Sequence, residues 1–99
     1  MNADKKLIDE MIKYFVKYEN VEKAVLFGSR ARGDNTERSD YDIAVYGDLS
    51  RREMAVLRTA FDEDLPTLHK VDLIFMCVQA ESDFTASIEK EGKSIYEKN

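Results

Sequence analysis

FGSRARGDNTERSDYD, from Phe27 to Asp42, holds two glycines, three arginines, two serines and four acids, with almost nothing apolar between Ala31 and Tyr41. Ala24-Val25-Leu26-Phe27 runs into it, and Ile43-Ala44-Val45-Tyr46 runs out of it. Short apolar runs bounded by glycine and polar clusters read as strands. The spacing therefore predicts a strand from Val21 to Phe27 and a loop from Gly28 to Ser39, with one helical turn after Ser29. A second strand is expected from Asp40 to Tyr46, closed by Gly47-Asp48.

Upstream, residues near 4–18 read as an amphipathic helix. Leu7, Met11 and Phe15 recur at helical spacing, with Ile8, Ile12 and Val16 beside them and Tyr14 and Tyr18 as flanking packing residues. Downstream, Ser50 is placed to cap a helix over residues 51–63 whose Met54, Leu57 and Phe61 mark the buried side. Pro66 ends the connection that follows. Val71 to Val78 read as a third strand. Ser82 or Asp83 is expected to cap a last helix carrying Phe84 and Ile88, with Gly92 as its stop. Ile95 and Tyr96 then pack back on the body or add a short edge strand. Helices alternating with strands in the order αβαβαβα indicate an α/β fold, a small mixed sheet flanked by helices, formed by residues 1–99 as a single domain.

The 99 residues are 43% apolar and 35% charged, the balance of a soluble globular chain. Charges run through the first twenty residues and no apolar run is long enough to span a bilayer, so a cytoplasmic location with no membrane contact is expected. The only cysteine, Cys77, lies in an apolar run and is expected to be a small buried hydrophobe. A net charge of −5 argues against direct nucleic-acid binding. All six arginines nevertheless fall between positions 30 and 58, while all nine lysines fall outside. Arginine suits bidentate contact with phosphate, and Arg30 and Arg32 sit inside the polar stretch.

Strand side chains alternate between faces, so Asp40 and Asp42 point one way, with Ala44 beyond them, and Tyr41, Ile43 and Val45 point to the core. Two like charges so close raise each other's proton affinity, and a divalent cation removes the conflict. Magnesium takes oxygen ligands and commonly uses one or two carboxylates plus substrate phosphates. Asp72 in KVDLIFM is a third acid, in a strand that is otherwise apolar. Beside the Asp40–Asp42 strand it can face the same site, and three carboxylates can hold two ions for an in-line displacement at phosphorus. The bland reading pairs Asp72 with Lys70, which faces the same way. Gly28-Ser29 directly after the first strand makes a turn whose backbone can approach an anion, and the Ser29 hydroxyl can donate to a phosphate oxygen. Arg30 or Arg32 can neutralise a polyphosphate. Ser39 leads into the second strand or helps hold the loop near a nucleotide. His69 reads as a plain surface residue, and Asp34, Glu37 and Arg38 as loop solvation.

GSRARG, then SDYDIAV after it, then VDLIF resemble the minimal nucleotidyltransferases of the polymerase-β-like superfamily, over nearly the whole chain. The resemblance implies a mixed sheet flanked by helices with a nucleoside triphosphate, ATP, at its open face. It implies that Gly28 and Ser29 bind phosphates, that Asp40 and Asp42 ligate Mg2+, and that Asp72 is the third carboxylate, assisting the acceptor hydroxyl. Larger members carry a further domain that grips the acceptor, whereas this sequence ends soon after the core motifs. Stand-alone domains of this kind resemble the antitoxin of prokaryotic toxin–antitoxin pairs whose toxin is a HEPN-domain ribonuclease. That likeness implies transfer of AMP to a toxin tyrosine within a hetero-oligomer. Two alternatives stay open: an antitoxin that masks its toxin without catalysis, and a transferase acting on a small molecule.

Overall fold

The computed structural model describes residues 3–34, 36, 39–77 and 83–98, without the side chains of residues 83, 84 and 87. Its elements follow the chain as α1 (Lys5–Val16), β1 (Lys23–Phe27), α2 (Ser29–Arg32), β2 (Tyr41–Tyr46), α3 (Arg51–Glu63), β3 (Val71–Phe75), α4 (Asp83–Glu91) and β4 (Lys93–Glu97). The expected order thus holds, with a fourth strand after it. The four strands form one sheet in the order β3-β2-β1-β4. β1 is antiparallel to both β2 and β4, while β2 and β3 run parallel. Parallel neighbours need a crossover, and α3 supplies it.

Local chemistry sets the helix starts. Asp4 caps α1, its carboxylate accepting the Lys6 N–H at 2.9 Å. Ser50 caps α3 in a reciprocal box: its hydroxyl accepts the Glu53 N–H at 3.1 Å and its own N–H donates to Glu53 at 2.9 Å. These bonds hold the Glu53 carboxyl below its ordinary range, the Ser50 backbone N–H acting most strongly, then the Asn20 amide. α4 ends before Gly92, whose N–H donates to the Ile88 carbonyl at 2.9 Å. A Cβ on Gly92 would stand 2.6 Å from Val25 Cγ1, so the chain turns into β4 directly against β1.

The sheet separates two apolar layers. Leu7, Ile8, Met11 and Phe15 of α1 and Leu57 and Phe61 of α3 pack on the face made by Ala24, Leu26, Ile43, Val45, Leu73 and Phe75. Val25, Phe27 and Ala44 face the other way and pack with Ile88 of α4. β1 is apolar without interruption from Ala24 to Phe27 because both its faces are covered.

Four expectations are corrected. Cys77 is exposed, not buried, because β3 ends at Phe75 and the cysteine lies in the turn beyond, its Sγ 3.9 Å from Met54 Sδ. Val16, at the end of α1, leaves the buried stripe and is 61% exposed. β1 begins at Lys23, although Val21 is fully buried just before it. β2 begins at Tyr41, so Asp40 stands at its mouth and not in the ladder. The readings of Glu37, Arg38, Val78 and Ser82, and of the Asp83 and Phe84 side chains, fall outside the described residues.

Candidate active site

The strands place the acids by register. Asp42 is opposite Phe27 in β1 and opposite Asp72 in β3. Paired residues in a sheet project from the same face, so both carboxylates stand on the α4 side, at the end of the small layer formed by Val25, Phe27 and Ala44. The Tyr41 N–H donates to the Lys70 carbonyl at 2.9 Å, which starts β2 and β3 level with each other. Asp40 is exposed one residue earlier.

Because Phe27 faces Asp42, the next residue, Gly28, lies against the Asp42 side chain. Gly28 adopts φ 78° and ψ −157° and caps α2. A Cβ there would lie 2.6 Å from Asp42 Oδ2. Only glycine fits both the dihedrals and the space. Ser29, partly exposed, opens the single turn of α2, and the Ala31 and Arg32 N–H groups donate to the Gly28 carbonyl at 3.1 Å. The turn and the acids therefore touch through one glycine and one carboxylate.

The electrostatics have a definite sign. Burial pushes the Asp42 carboxyl above the ordinary aspartate range, the Asp72 carboxylate adds to the rise and Asp40 adds further. Arg32 and Lys70 oppose it. Lys70 Nζ is 3.4 Å from Asp72 Oδ1, in an exposed pair. Arg32 bonds Asp34 and Glu91, each at 3.0 Å, tying α2 to the end of α4.

A divalent cation suits this donor set. The three acids offer oxygen ligands only, the choice of Mg2+, and a cation would relieve the repulsion from Asp72 and Asp40 that adds to the effect of burial on Asp42. Asp40, Asp42 and Asp72 are the residues that would hold it. Among the described residues no three acids, histidines or cysteines converge closely enough to hold an ion as they stand. Asp72 would first have to part from Lys70.

Arg30 folds down against the start of β2. It is 6% exposed, its Nε donates to the Ser39 carbonyl at 3.0 Å, and its guanidinium carbon lies 4.1 Å from the centre of the Tyr41 ring. Ser39 in turn accepts the Thr36 N–H on its hydroxyl at 2.9 Å. Arg30 and Ser39 are thus brought to each other. His69, expected at the surface, is half-buried with its ring edge-on to Tyr41 at 5.8 Å. The signal for both was Tyr41, read only as core: a buried aromatic face beside a loop attracts planar cations and rings.

A strand, a Gly-Ser turn and a following strand whose acid abuts that turn are thus brought together. The chain belongs to the family described as Polymerase beta, Nucleotidyltransferase, whose model matches residues 9–99. Over 50 residues it is 44% identical to "Putative protein adenylyltransferase MJ0604" of Methanocaldococcus jannaschii, a match that covers 50% of this chain and 50% of that protein. The match thus spans about half the length of that relative. Among solved structures it resembles a toxin-antitoxin with AMP-PNP, with a TM-score of 0.71, 21% identity, and 98% of this chain and 76% of the other covered. It also resembles a chain of the tri-AMPylated Shewanella oneidensis HEPN toxin in complex with MNT antitoxin, with a TM-score of 0.62, 21% identity, and 95% and 72% coverage. At these identities the structural likeness is one of fold.

Proposed function

We propose that the chain, acting as one domain over residues 1–99, is a Mg2+-dependent nucleotidyltransferase. It transfers AMP from ATP to a hydroxyl, that of a tyrosine, on a partner HEPN-type ribonuclease toxin, and so acts as its antitoxin. The observation that carries the reading is the contact of Gly28 with Asp42 at the point where Asp42 pairs with Asp72. It sets a phosphate-type turn directly against carboxylates, which phosphoryl transfer needs because its catalysis is mostly positioning and charge stabilisation. Family membership supports the chemistry. The named adenylyltransferase and the AMPylated toxin complex support a protein acceptor.

In this reading Gly28 and Ser29 seat the triphosphate, and Arg32, the more exposed of the two α2 arginines, faces its charge. Asp40 and Asp42, with Asp72, would hold the metal, which when bound would neutralise charge on the phosphates. The tyrosine oxygen bonds to the α-phosphorus, the bond to pyrophosphate breaks, and Asp72 takes the hydroxyl proton. The test mixes the chain, a HEPN-type toxin, labelled ATP and Mg2+. Intact mass of the toxin should rise by AMP units on tyrosine, and Asp42→Asn should abolish the transfer.

The masking alternative has one observation in its favour: Asp72 is engaged by Lys70 and the acids do not converge as they stand. The same experiment separates the two. Neutralisation by Asp42→Asn with no label on the toxin selects masking.

A further inference from the structure

We infer that Arg30 is a positioning residue for Asp40, gripping the backbone on one side of it and the aromatic ring on the other, and is not a ligand of the triphosphate. The metal-binding and kinetic consequences of this inference rest on the transferase reading above, and its resonance readout does not.

A guanidinium is costly to bury unless its charge and its N–H groups are matched. Arg30 is the one charged or polar side chain among the described residues that is buried, at 6% exposure. Two of its partners flank Asp40 in sequence. Nε donates to the carbonyl of Ser39, and the plane lies over the ring of Tyr41. Both partners are themselves held. Ser39 is bonded to Thr36 through its N–H at 3.2 Å and its hydroxyl at 2.9 Å. Tyr41 is 1% exposed, its N–H donates to the Lys70 carbonyl at 2.9 Å, and its hydroxyl accepts the Asp4 N–H at 3.2 Å. His69 covers the ring from its edge.

Asp40 needs such a clamp because it lies outside the β2 ladder, between that strand and a long polar loop. Arg30 leaves the chain one residue after Ser29, so the clamp also fixes how far Asp40 stands from the Gly28-Ser29 turn. Buried at 6% exposure, Arg30 would have to lift off the Tyr41 ring to reach a polyanion at the Gly28-Ser29 turn, loosening the hold on Asp40 at the moment Asp40 is needed. Lysine cannot replace it, since an ammonium has neither the planar face nor the Nε–H in line with the ring.

The experiment compares the wild-type chain with Arg30→Lys and Arg30→Gln. Mn2+ binding is read by electron paramagnetic resonance without nucleotide. Transfer to the toxin is read as kcat and half-saturating ATP. Loss of a residue that orients a metal ligand lowers metal affinity and turnover by about tenfold or more, and Arg30→Lys should not rescue either. Half-saturating ATP should stay within about twofold, because ground-state nucleotide contacts are untouched. In the wild-type chain the Arg30 Nε–H resonance should exchange slowly and stay in place when a non-hydrolysable ATP analogue and Mg2+ are added. This last readout does not depend on any variant folding. Unchanged Mn2+ affinity in Arg30→Lys would overturn the inference. So would a large rise in half-saturating ATP with normal Mn2+ binding, or an Nε–H that shifts and loses protection with the analogue. A wild-type chain that transfers nothing sinks the proposed function instead, and the Mn2+ and resonance readouts still decide the role of Arg30.

Discussion

The Gly28 backbone lies so close to Asp42 that a Cβ on the glycine would stand 2.6 Å from Oδ2 of the aspartate. The glycine also holds φ 78° and ψ −157°, a region open almost solely to glycine. Gly28→Ala should therefore cost about 1–3 kcal/mol from backbone strain, plus the displacement of the Asp42 carboxylate. In an Asp42→Ala background the second part vanishes and the first remains. Urea unfolding of the four proteins in a double-mutant cycle should give a smaller penalty for Gly28→Ala when Asp42 is absent. Equal penalties would mean that the carboxylate does not rest on the turn.

Asp42 should oppose stability while it serves the site. Its folded carboxyl is raised above the ordinary range, by burial first and then by Asp72 and Asp40. The folded state therefore binds more protons than the unfolded one between the unfolded value of about 3.9 and the raised folded value. Stability falls as pH climbs through that window, and below it the penalty is absent. Without metal, Asp42→Asn should melt a few degrees above wild type at pH 7, and the advantage should disappear below about pH 4, where both states of the wild type are protonated. With millimolar Mg2+ the wild type gains stability by binding and the variant does not. Melting curves across pH, with chelator and with Mg2+, check both signs.

The features that were legible in the sequence have local causes. The core face of Tyr41, Ile43 and Val45, with Asp42 pointing away from it, follows from strand alternation, and α3 is bounded by a cap whose two partners are three residues apart. Cys77 was misplaced because the apolar run continues past Phe75 while the strand does not. Composition cannot see where pairing stops. Arg30 was out of reach for another reason. A long flexible cation can point into a cleft or fold down on an aromatic, and the choice depends on Tyr41 being fixed beneath it by Lys70 and Asp4, from two other parts of the chain. The pairing of Lys70 with Asp72 was readable, since the two share a face at a spacing of two.

Lys70 stands in the way of the third carboxylate. Its Nζ is 3.4 Å from Asp72 Oδ1, with side chains 67% and 38% exposed. An exposed pair of this kind contributes about 0–1 kcal/mol, so Lys70→Gln should shift stability by no more than about that amount. Removing the ammonium frees Asp72 and takes away a competing cation. Mn2+ affinity should therefore rise severalfold in Lys70→Gln, measured by paramagnetic resonance or calorimetry. A fall in affinity would show that Lys70 supports the acids more than it competes with a metal for them.

Arg32 separates a structural tie from a role in the site. It bonds Asp34 and Glu91, each at 3.0 Å, and its charge lowers the proton affinity of Asp42. Both ion pairs are exposed, and such pairs contribute little to stability. Glu91→Gln cuts the tie to α4 and leaves the charge of Arg32 in place. Arg32→Gln removes both. If the arginine faces the triphosphate, Arg32→Gln should raise half-saturating ATP by about tenfold, the order expected from losing a charge-assisted hydrogen bond of about 1.5–3 kcal/mol. Glu91→Gln should leave it near wild type. Both variants should melt close to wild type. Matching losses in the two would place the effect in the docking of α4 and remove Arg32 from the nucleotide site.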